Sequence, residues 1–149
     1  MSKNYLSIYA KSFNWAGFFL PKKTYQKCSI LYDFCRSLDD IADQDLDLDI
    51  KIKQFNKFKN KFVSKNTDDQ IVNRMQDLIY NCKISEKIVY DLFDGVESDL
   101  KKEVKINSEK ELIIYSYRVA GTVGLMMAKI SGGILLEEVG ECAVINLAN

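Results

Sequence analysis

Pro21 is the only proline in this 149-residue chain, and only seven residues are glycine. Tight turns draw on residues that fix φ or tolerate positive φ, so a chain this poor in both is left with long helices. The apolar spacing agrees. From Thr24 to about Asp43, the residues Cys28, Leu31, Cys35, Leu38 and Ala42 alternate by three and four, the stripe of a helix buried on one side. Ile52, Phe55, Phe58 and Phe62 give a second stripe over about Asp49 to Val63. Thr67-Asp68-Asp69-Gln70 has the form of a capping box and opens a third predicted helix through Ile71, Met75, Leu78 and Ile79. Ser85 is placed to cap a fourth, with Ile88, Leu92, Val96 and Leu100 facing inward. Ser108-x-x-Glu111 is another capping box. It starts a helix through Leu112, Tyr115, Val119, Val123 and Met127 to Ile130, which Ser131-Gly132-Gly133 ends. A short helix is expected from Lys3 to about Ala10, and a weak helix or irregular tail from Ile134 to Leu147. The predicted class is all-α, with no linker, repeat or low-complexity tract to divide it.

Composition removes several function classes. Lys and Arg number 21, as do Asp and Glu. A net charge of zero argues against general nucleic-acid binding, which needs a basic surface to displace counterions. There is no histidine, which excludes a Ser-His-Asp triad, a Cys-His dyad and imidazole zinc sites. Cys28, Cys35, Cys82 and Cys142 form no C-x-x-C, and their low density favours free thiols in a reducing compartment. No apolar run approaches the ~18–20 residues of a membrane span. Met1 to Leu20 mixes lysines with its apolar residues and does not read as a signal peptide.

The sharpest local feature is Cys35-Arg36-Ser37-Leu38-Asp39-Asp40-Ile41-Ala42-Asp43. On a helix, Asp39 and Asp43 lie one turn apart on one face, where two like charges repel. A hard divalent cation removes that cost, since Mg²⁺ takes carboxylate oxygens and keeps positions for water and phosphate. Arg36 and Asp40 are also four apart, so Arg36 can pair with Asp40 or reach a diphosphate oxygen. The alternative is a solvated acidic helix end continuing through Asp45, Asp47 and Asp49. Acids at a helix C-terminus oppose the macrodipole, which makes them poor stability devices. In Tyr115-Ser116-Tyr117-Arg118-Val119-Ala120-Gly121-Thr122-Val123-Gly124, the small residues leave a smooth helix face. It suits either close helix packing or a groove for a long apolar ligand. Ser12-Phe13 with Trp15, Phe18 and Phe19 forms core or a cation-stabilising aromatic wall. The lysines from Lys51 to Lys61 read as a solvated face.

Four segments together resemble the squalene/phytoene synthase family of head-to-head prenyl transferases. They are Lys11-Ser12-Phe13 with Leu20-Pro21; Leu31-Tyr32-x-Phe34-Cys35-Arg36-x-x-Asp39-Asp40-Ile41-Ala42-Asp43; Asp94-Gly95-Val96-Glu97-x-Asp99-Leu100; and Tyr115-x-Tyr117-x-Val119-Ala120-Gly121-Thr122-Val123-Gly124. The resemblance is to bacterial phytoene synthases and their squalene-pathway relatives. It implies part of an all-α isoprenoid-synthase bundle whose central cavity holds Mg²⁺ (or Mn²⁺) between two facing aspartate motifs. By position, Asp39 and Asp43 resemble the first metal motif, with Asp40 beside them. Ser12 and Arg36 would contact diphosphate, with Phe13 and Tyr32 lining that end. Tyr115 resembles the family tyrosine near the reacting carbons, Asp99 shares the catalytic set, and Val119 and Val123 would line the prenyl tunnel.

The implied reaction condenses two geranylgeranyl diphosphates to phytoene through a cyclopropyl diphosphate intermediate. The alternatives are a farnesyl diphosphate enzyme making presqualene diphosphate or squalene, and a non-catalytic relative acting as a scaffold. The implied partner is a prenyl diphosphate. The implied location is cytoplasmic, with peripheral attachment at the inner membrane face as an option that a lipophilic product opens. The family's second D-x-x-x-D motif has no counterpart here. Residues 1–130 therefore resemble the amino-terminal half of the domain, and 131–149 a divergent or truncated tail. Such a chain is expected to be inactive alone and to expose the stripe Val119, Val123 and Met127.

Overall fold

The computed structural model describes residues 20–65, 68–101 and 106–132, all of it helix and short connection. Six α-helices run in order: α1 Lys22–Asp43, α2 Leu48–Val63, α3 Gln70–Cys82, α4 Glu86–Leu100, α5 Glu109–Ser116 and α6 Thr122–Ile130. A single π turn, Tyr117–Gly121, joins α5 to α6. The all-α prediction holds for the described residues. The expected Lys3–Ala10 helix, Ser12, Phe13 and the tail from 133 onward lie outside them.

Pro21 precedes α1, where its missing N–H costs nothing, and its carbonyl accepts the first intrahelical bond from the Tyr25 amide at 2.9 Å. Helix α1 buries Cys28, Leu31, Phe34 and Leu38. It packs against α2, α3, α4 and α6 and is the hub of the bundle. Phe34 is fully buried, with its ring 5.4 Å from Phe58, 5.7 Å from Phe62 and 5.8 Å from Phe93, centroid to centroid. Phe55 and Phe62 also meet Phe93, at 5.9 and 5.5 Å. Tilted and edge-on pairs at these separations are the favourable aromatic arrangements. Three helices are thereby tied at one point. Cys35 and Ala42, expected in the buried stripe, are only half-buried, and Phe34 takes the inward position.

Two caps differ from the sequence reading. Helix α3 is capped by Asp69 rather than Thr67. Asp69 Oδ1 accepts from the Ile71 and Val72 amides at 3.1 and 3.2 Å, and Oδ2 from Lys61 Nζ at 2.8 Å. An aspartate caps at least as well as a threonine and here gains an ion pair besides. Ser85 occupies the N-cap of α4 without a side-chain hydrogen bond. At α5, Ser108 Oγ accepts from the Glu111 amide at 3.2 Å, while Glu111 reaches back one residue further, to the Asn107 amide, at 2.7 Å.

The stripe through Val119, Val123 and Met127 is corrected by the π turn. The Thr122 amide bonds the Tyr117 carbonyl, five residues back, so the turn holds one extra residue. Beyond it the buried positions are Thr122, Met126, Ala128 and Ile130, with Thr122 and Met126 each one residue before the expected Val123 and Met127. Val123 and Met127 are half-buried against the core, so the expected exposed apolar face is not there. The large exposed apolar side chains lie elsewhere, at Leu46, Leu48, Ile50 and Tyr80 among others.

Replacing Asp69 by Ala is expected to cost about 1 kcal/mol, the usual worth of an N-cap. Lys61 and the two amides hold the Asp69 carboxyl below its ordinary pKa. Its contribution is therefore present above the unfolded-state value near ~4 and lost as pH falls through the lower folded value. Urea denaturation of wild type and Asp69→Ala at neutral and acid pH should show the gap between them closing on acidification.

Candidate functional site

Helices α1 and α4 deliver their C-terminal turns to one cleft of about 420 Å³. Asp39 and Asp43 enter from α1, Asp99 from α4 and Lys51 from the first turn of α2. Leu46, Leu48, Val96 and Leu100 supply apolar wall. The convergence follows from the core. Phe34 and Phe93 pin the two helices together five and six residues before Asp39 and Asp99. Two helix C-termini add the negative ends of their dipoles to three carboxylates.

That charge is poorly compensated. Neither Asp39 nor Asp43 forms an ion pair with a lysine or arginine among the described residues. The Asp39 carboxyl is pushed up to about 6, first by the protein that displaces its water, then by Asp43, Asp40 and Asp99. The other acids of the α4 motif are neutralised. Lys59 Nζ stands 3.9 Å from Asp94 and 3.7 Å from Glu97, and Lys101 Nζ stands 2.9 Å from Glu97. Asp99 is left for the cleft.

Tyr115 joins this set through Asp99. Its hydroxyl donates to Asp99 Oδ1 at 2.7 Å, and the bond holds the phenol protonated, with its pKa pushed up to about 12. The approach of the Tyr115 segment to α4 depends on Gly95. A methyl there would sit 3.0 Å from Arg118 Cβ and 3.1 Å from both the Arg118 carbonyl carbon and Val119 Cγ1. Tyr117 adds a second tie, donating to Asp91 Oδ2 at 3.1 Å. Gly121 leaves room for the Tyr117 ring, whose nearest atom is 3.0 Å from where a Cβ would be. Gly124 faces open space instead, so no described helix packs on the smooth face there.

The remaining sequence-predicted residues fall as follows. Asp40 does not line the cleft; it turns to Arg36, Nε to Oδ2 3.8 Å, with both side chains more than half exposed. Arg36 also donates to the Tyr32 hydroxyl at 3.5 Å, so Arg36 and Tyr32 meet each other beside the cleft rather than in it. Val119 touches α4 near Gly95, and Val123 packs on the core. Lys51, read from sequence as part of a solvated face, lines the cleft. The signal that could have marked it is a cation in the first turn of a helix, the end where the macrodipole disfavours one.

Among the described residues no three acidic, cysteine or histidine side chains stand close enough to hold an ion by themselves. The donor chemistry nevertheless suits a hard cation. The cleft offers carboxylate oxygens in excess of countercharge, and Mg²⁺ characteristically takes only part of its shell from protein carboxylates and the rest from water and phosphate. Cys35 is no competitor: burial and the neighbouring Asp39 push its thiol up to about 12.

An all-α bundle with carboxylates from two helices facing one cleft is consistent with the isoprenoid-synthase fold, the class to which the matching family profile assigns the chain. The chain belongs to the squalene/phytoene synthase family, whose profile matches residues 6–135. Over 127 residues it is 30% identical to the 4,4'-diapophytoene synthase of Staphylococcus haemolyticus, covering 82% of this chain and 44% of that protein. It is 26% identical over 140 residues to the 15-cis-phytoene synthase of Pantoea ananas, covering 85% and 45% respectively. It is 24% identical over 123 residues to the presqualene diphosphate synthase of Rhodopseudomonas palustris, covering 81% and 44%. The chain thus spans less than half the length of these relatives. No solved structure matches it. No helix among the described residues is long and apolar enough to cross a membrane.

Two outcomes test this geometry. In Asp99→Asn, loss of the carboxylate charge should bring the Tyr115 phenol down from about 12 towards its ordinary value of 10. Ultraviolet phenolate titration, with Tyr115→Phe assigning the signal, reads the change. Gly95→Ala should destabilise the fold by about 1–3 kcal/mol in chemical denaturation, because the methyl meets backbone that cannot swing aside. At an open helix position the same change would stabilise by about 1 kcal/mol.

Proposed function

We propose that this cleft serves the head-to-head condensation of two prenyl diphosphates. The observation that carries the reading is the meeting of Asp39, Asp43 and Asp99 at one under-compensated cleft, with Tyr115 tethered to the third. Asp39 and Asp43 would hold Mg²⁺ or Mn²⁺, with Asp99 close by, and the cation would neutralise the leaving diphosphate. Asp40, paired with Arg36, contributes negative field rather than a ligand. Asp99 fixes the Tyr115 hydroxyl, so the phenol would present an oriented, uncharged polar group beside the reacting carbons. The apolar walls and Val119 suit the prenyl chain. Ser12 and Phe13, outside the described residues, are proposed as diphosphate contacts on the family resemblance alone.

The substrate we assign is geranylgeranyl diphosphate and the product phytoene, formed through a cyclopropyl diphosphate. Relatives named presqualene diphosphate synthase and 4,4'-diapophytoene synthase support a second reading, with farnesyl diphosphate in the same site. The unpaired carboxylates favour an enzyme over a scaffold, since without a cation they only cost stability. A cytoplasmic setting, with the product released at the inner membrane face, belongs to the same proposal. It is supported by the free thiols of Cys28, Cys35 and Cys82 and by the lipophilic product.

Since the chain spans less than half of its relatives' length, the complete reaction is proposed for a protein that brings a second acidic set opposite this cleft. The 149-residue chain is expected to bind Mn²⁺, and Asp39→Asn or Asp43→Asn to weaken binding by on the order of tenfold or more, since even outer-sphere partners carry that much. Electron paramagnetic resonance titration measures this, and unchanged affinity in both variants refutes the metal assignment. Incubated alone with Mg²⁺ and either prenyl diphosphate, the chain should yield no C–C coupled lipid. Product above a no-enzyme control would show that one acidic set suffices.

A further inference from the structure

A diphosphate entering this cleft meets three carboxylates and two helix C-termini, all of the wrong sign. A metal ion on Asp39 and Asp43 offsets part of that field, and a cation among the protein groups that line the cleft would offset more. Arg36, the basic residue that sequence position nominates, is engaged by Asp40 and Tyr32 outside the cleft. Lys51 is the one lysine or arginine among the described residues lining the cleft. Its Nζ donates to the Ala42 carbonyl at 2.9 Å, in the last turn of α1. It forms no ion pair with Asp39, Asp43 or Asp99, although it shares the cleft with all three. One of its three donors is thus committed to a carbonyl and none to a carboxylate.

We propose that Lys51 is a substrate-binding residue, its ammonium standing on the end of α1 as the protein's own anion-binding group in the acidic cleft. The inference rests on the diphosphate reading above and adds to its metal ion a protein cation that lines the same cleft. Lys51 has two effects of opposite sign. With no anion present it offsets the field of Asp39, Asp43 and Asp99 and so holds down their affinity for a divalent cation. With diphosphate present it supplies an ammonium contact that the carboxylates cannot. A lysine that only caps α1 would still hold down cation affinity through its charge, but it would add no contact to diphosphate, so the pyrophosphate affinity is the discriminating readout.

The test uses the 149-residue chain with Mn²⁺ and inorganic pyrophosphate as probes. Lys51→Gln keeps a donor that can face the Ala42 carbonyl and removes the charge, whereas Lys51→Arg keeps the charge. Calorimetric titration of Lys51→Gln should show tighter Mn²⁺ binding than wild type. Pyrophosphate binding to its Mn²⁺-saturated form should be weaker by on the order of tenfold, the worth of one close charge in a partly solvated site. Lys51→Arg should restore both affinities towards wild type. Equal pyrophosphate affinity in the Gln and Arg variants overturns the inference, whether both match wild type or both have lost the fold by circular dichroism. A wild-type chain that binds Mn²⁺ but no pyrophosphate overturns it as well. A wild-type chain that binds neither overturns the diphosphate reading on which it stands.

Discussion

The edge-on contact of Phe34 with Phe93, 5.8 Å between ring centroids, is the constraint on which the rest of this structure turns. Both rings are fully buried, and Phe55, Phe58 and Phe62 of α2 close around them. Truncating a buried phenylalanine costs ~3–5 kcal/mol, a large share of what holds a domain of this size together. The contact also does something that generic hydrophobic packing would not. It sets the axial register of α1 against α4, and through it the distance across which Asp39 and Asp43 face Asp99. Core and site are one piece of geometry, separated by little more than a turn of helix.

Much of this is readable from residue spacing because helix periodicity is local. The stripes of α1 to α4 in outline, the stop after Ile130 and the Ser108 cap depend on residues within one or two turns of each other, although Phe34 and Phe93 lie outside the expected stripes and Cys35, Ala42, Ile52, Ile71 and Ile88 within them are only half-buried. The acids Asp39 and Asp43 are legible for the same reason. What spacing cannot carry is partnership between distant elements. Lys61 favours Asp69 as the cap over Thr67, but only the fold brings α2 to the start of α3. Arg36 is equally able, by sequence, to face Asp40 or a diphosphate, and the helix surface gives it Asp40. Lys51 hides among lysines whose neighbours are solvent-facing or paired elsewhere, since nothing in their spacing tells which one meets the end of α1. The π turn is invisible to a rule that assumes 3.6 residues per turn throughout, and it displaces the prediction for α6 by one residue.

The carboxylates of the cleft run against helix stability at two helix C-termini, each arrangement worth ~0.3–1 kcal/mol in the unfavourable direction. Lys51 is mixed: its ammonium stands in the first turn of its own helix but on a carbonyl at the C-terminal end of α1. The neighbouring acids show the contrast, for Asp94 and Glu97 on α4 are met by Lys59 and Lys101. Several charges that a stability argument would pair or remove thus meet in this cleft. Locally unfavourable choices of this kind, in an otherwise consistent fold, are what a site looks like from the energetics alone.

The π turn at Tyr117–Gly121 divides one long helix into two parts that answer to different demands. In a regular helix, the direction of Tyr115 and the buried face at Thr122, Met126 and Ile130 would be locked together at about 100° per residue. A single surplus residue, stitched by the Thr122 hydroxyl to the Arg118 carbonyl at 2.9 Å, breaks that lock. Deleting one residue from the turn would keep the helix and its composition while rotating Tyr115 off Asp99. The turn therefore acts as a phase adjuster. It lets the half of the helix that carries chemistry be aimed separately from the half that fills the core, so either can drift in sequence without misaligning the other.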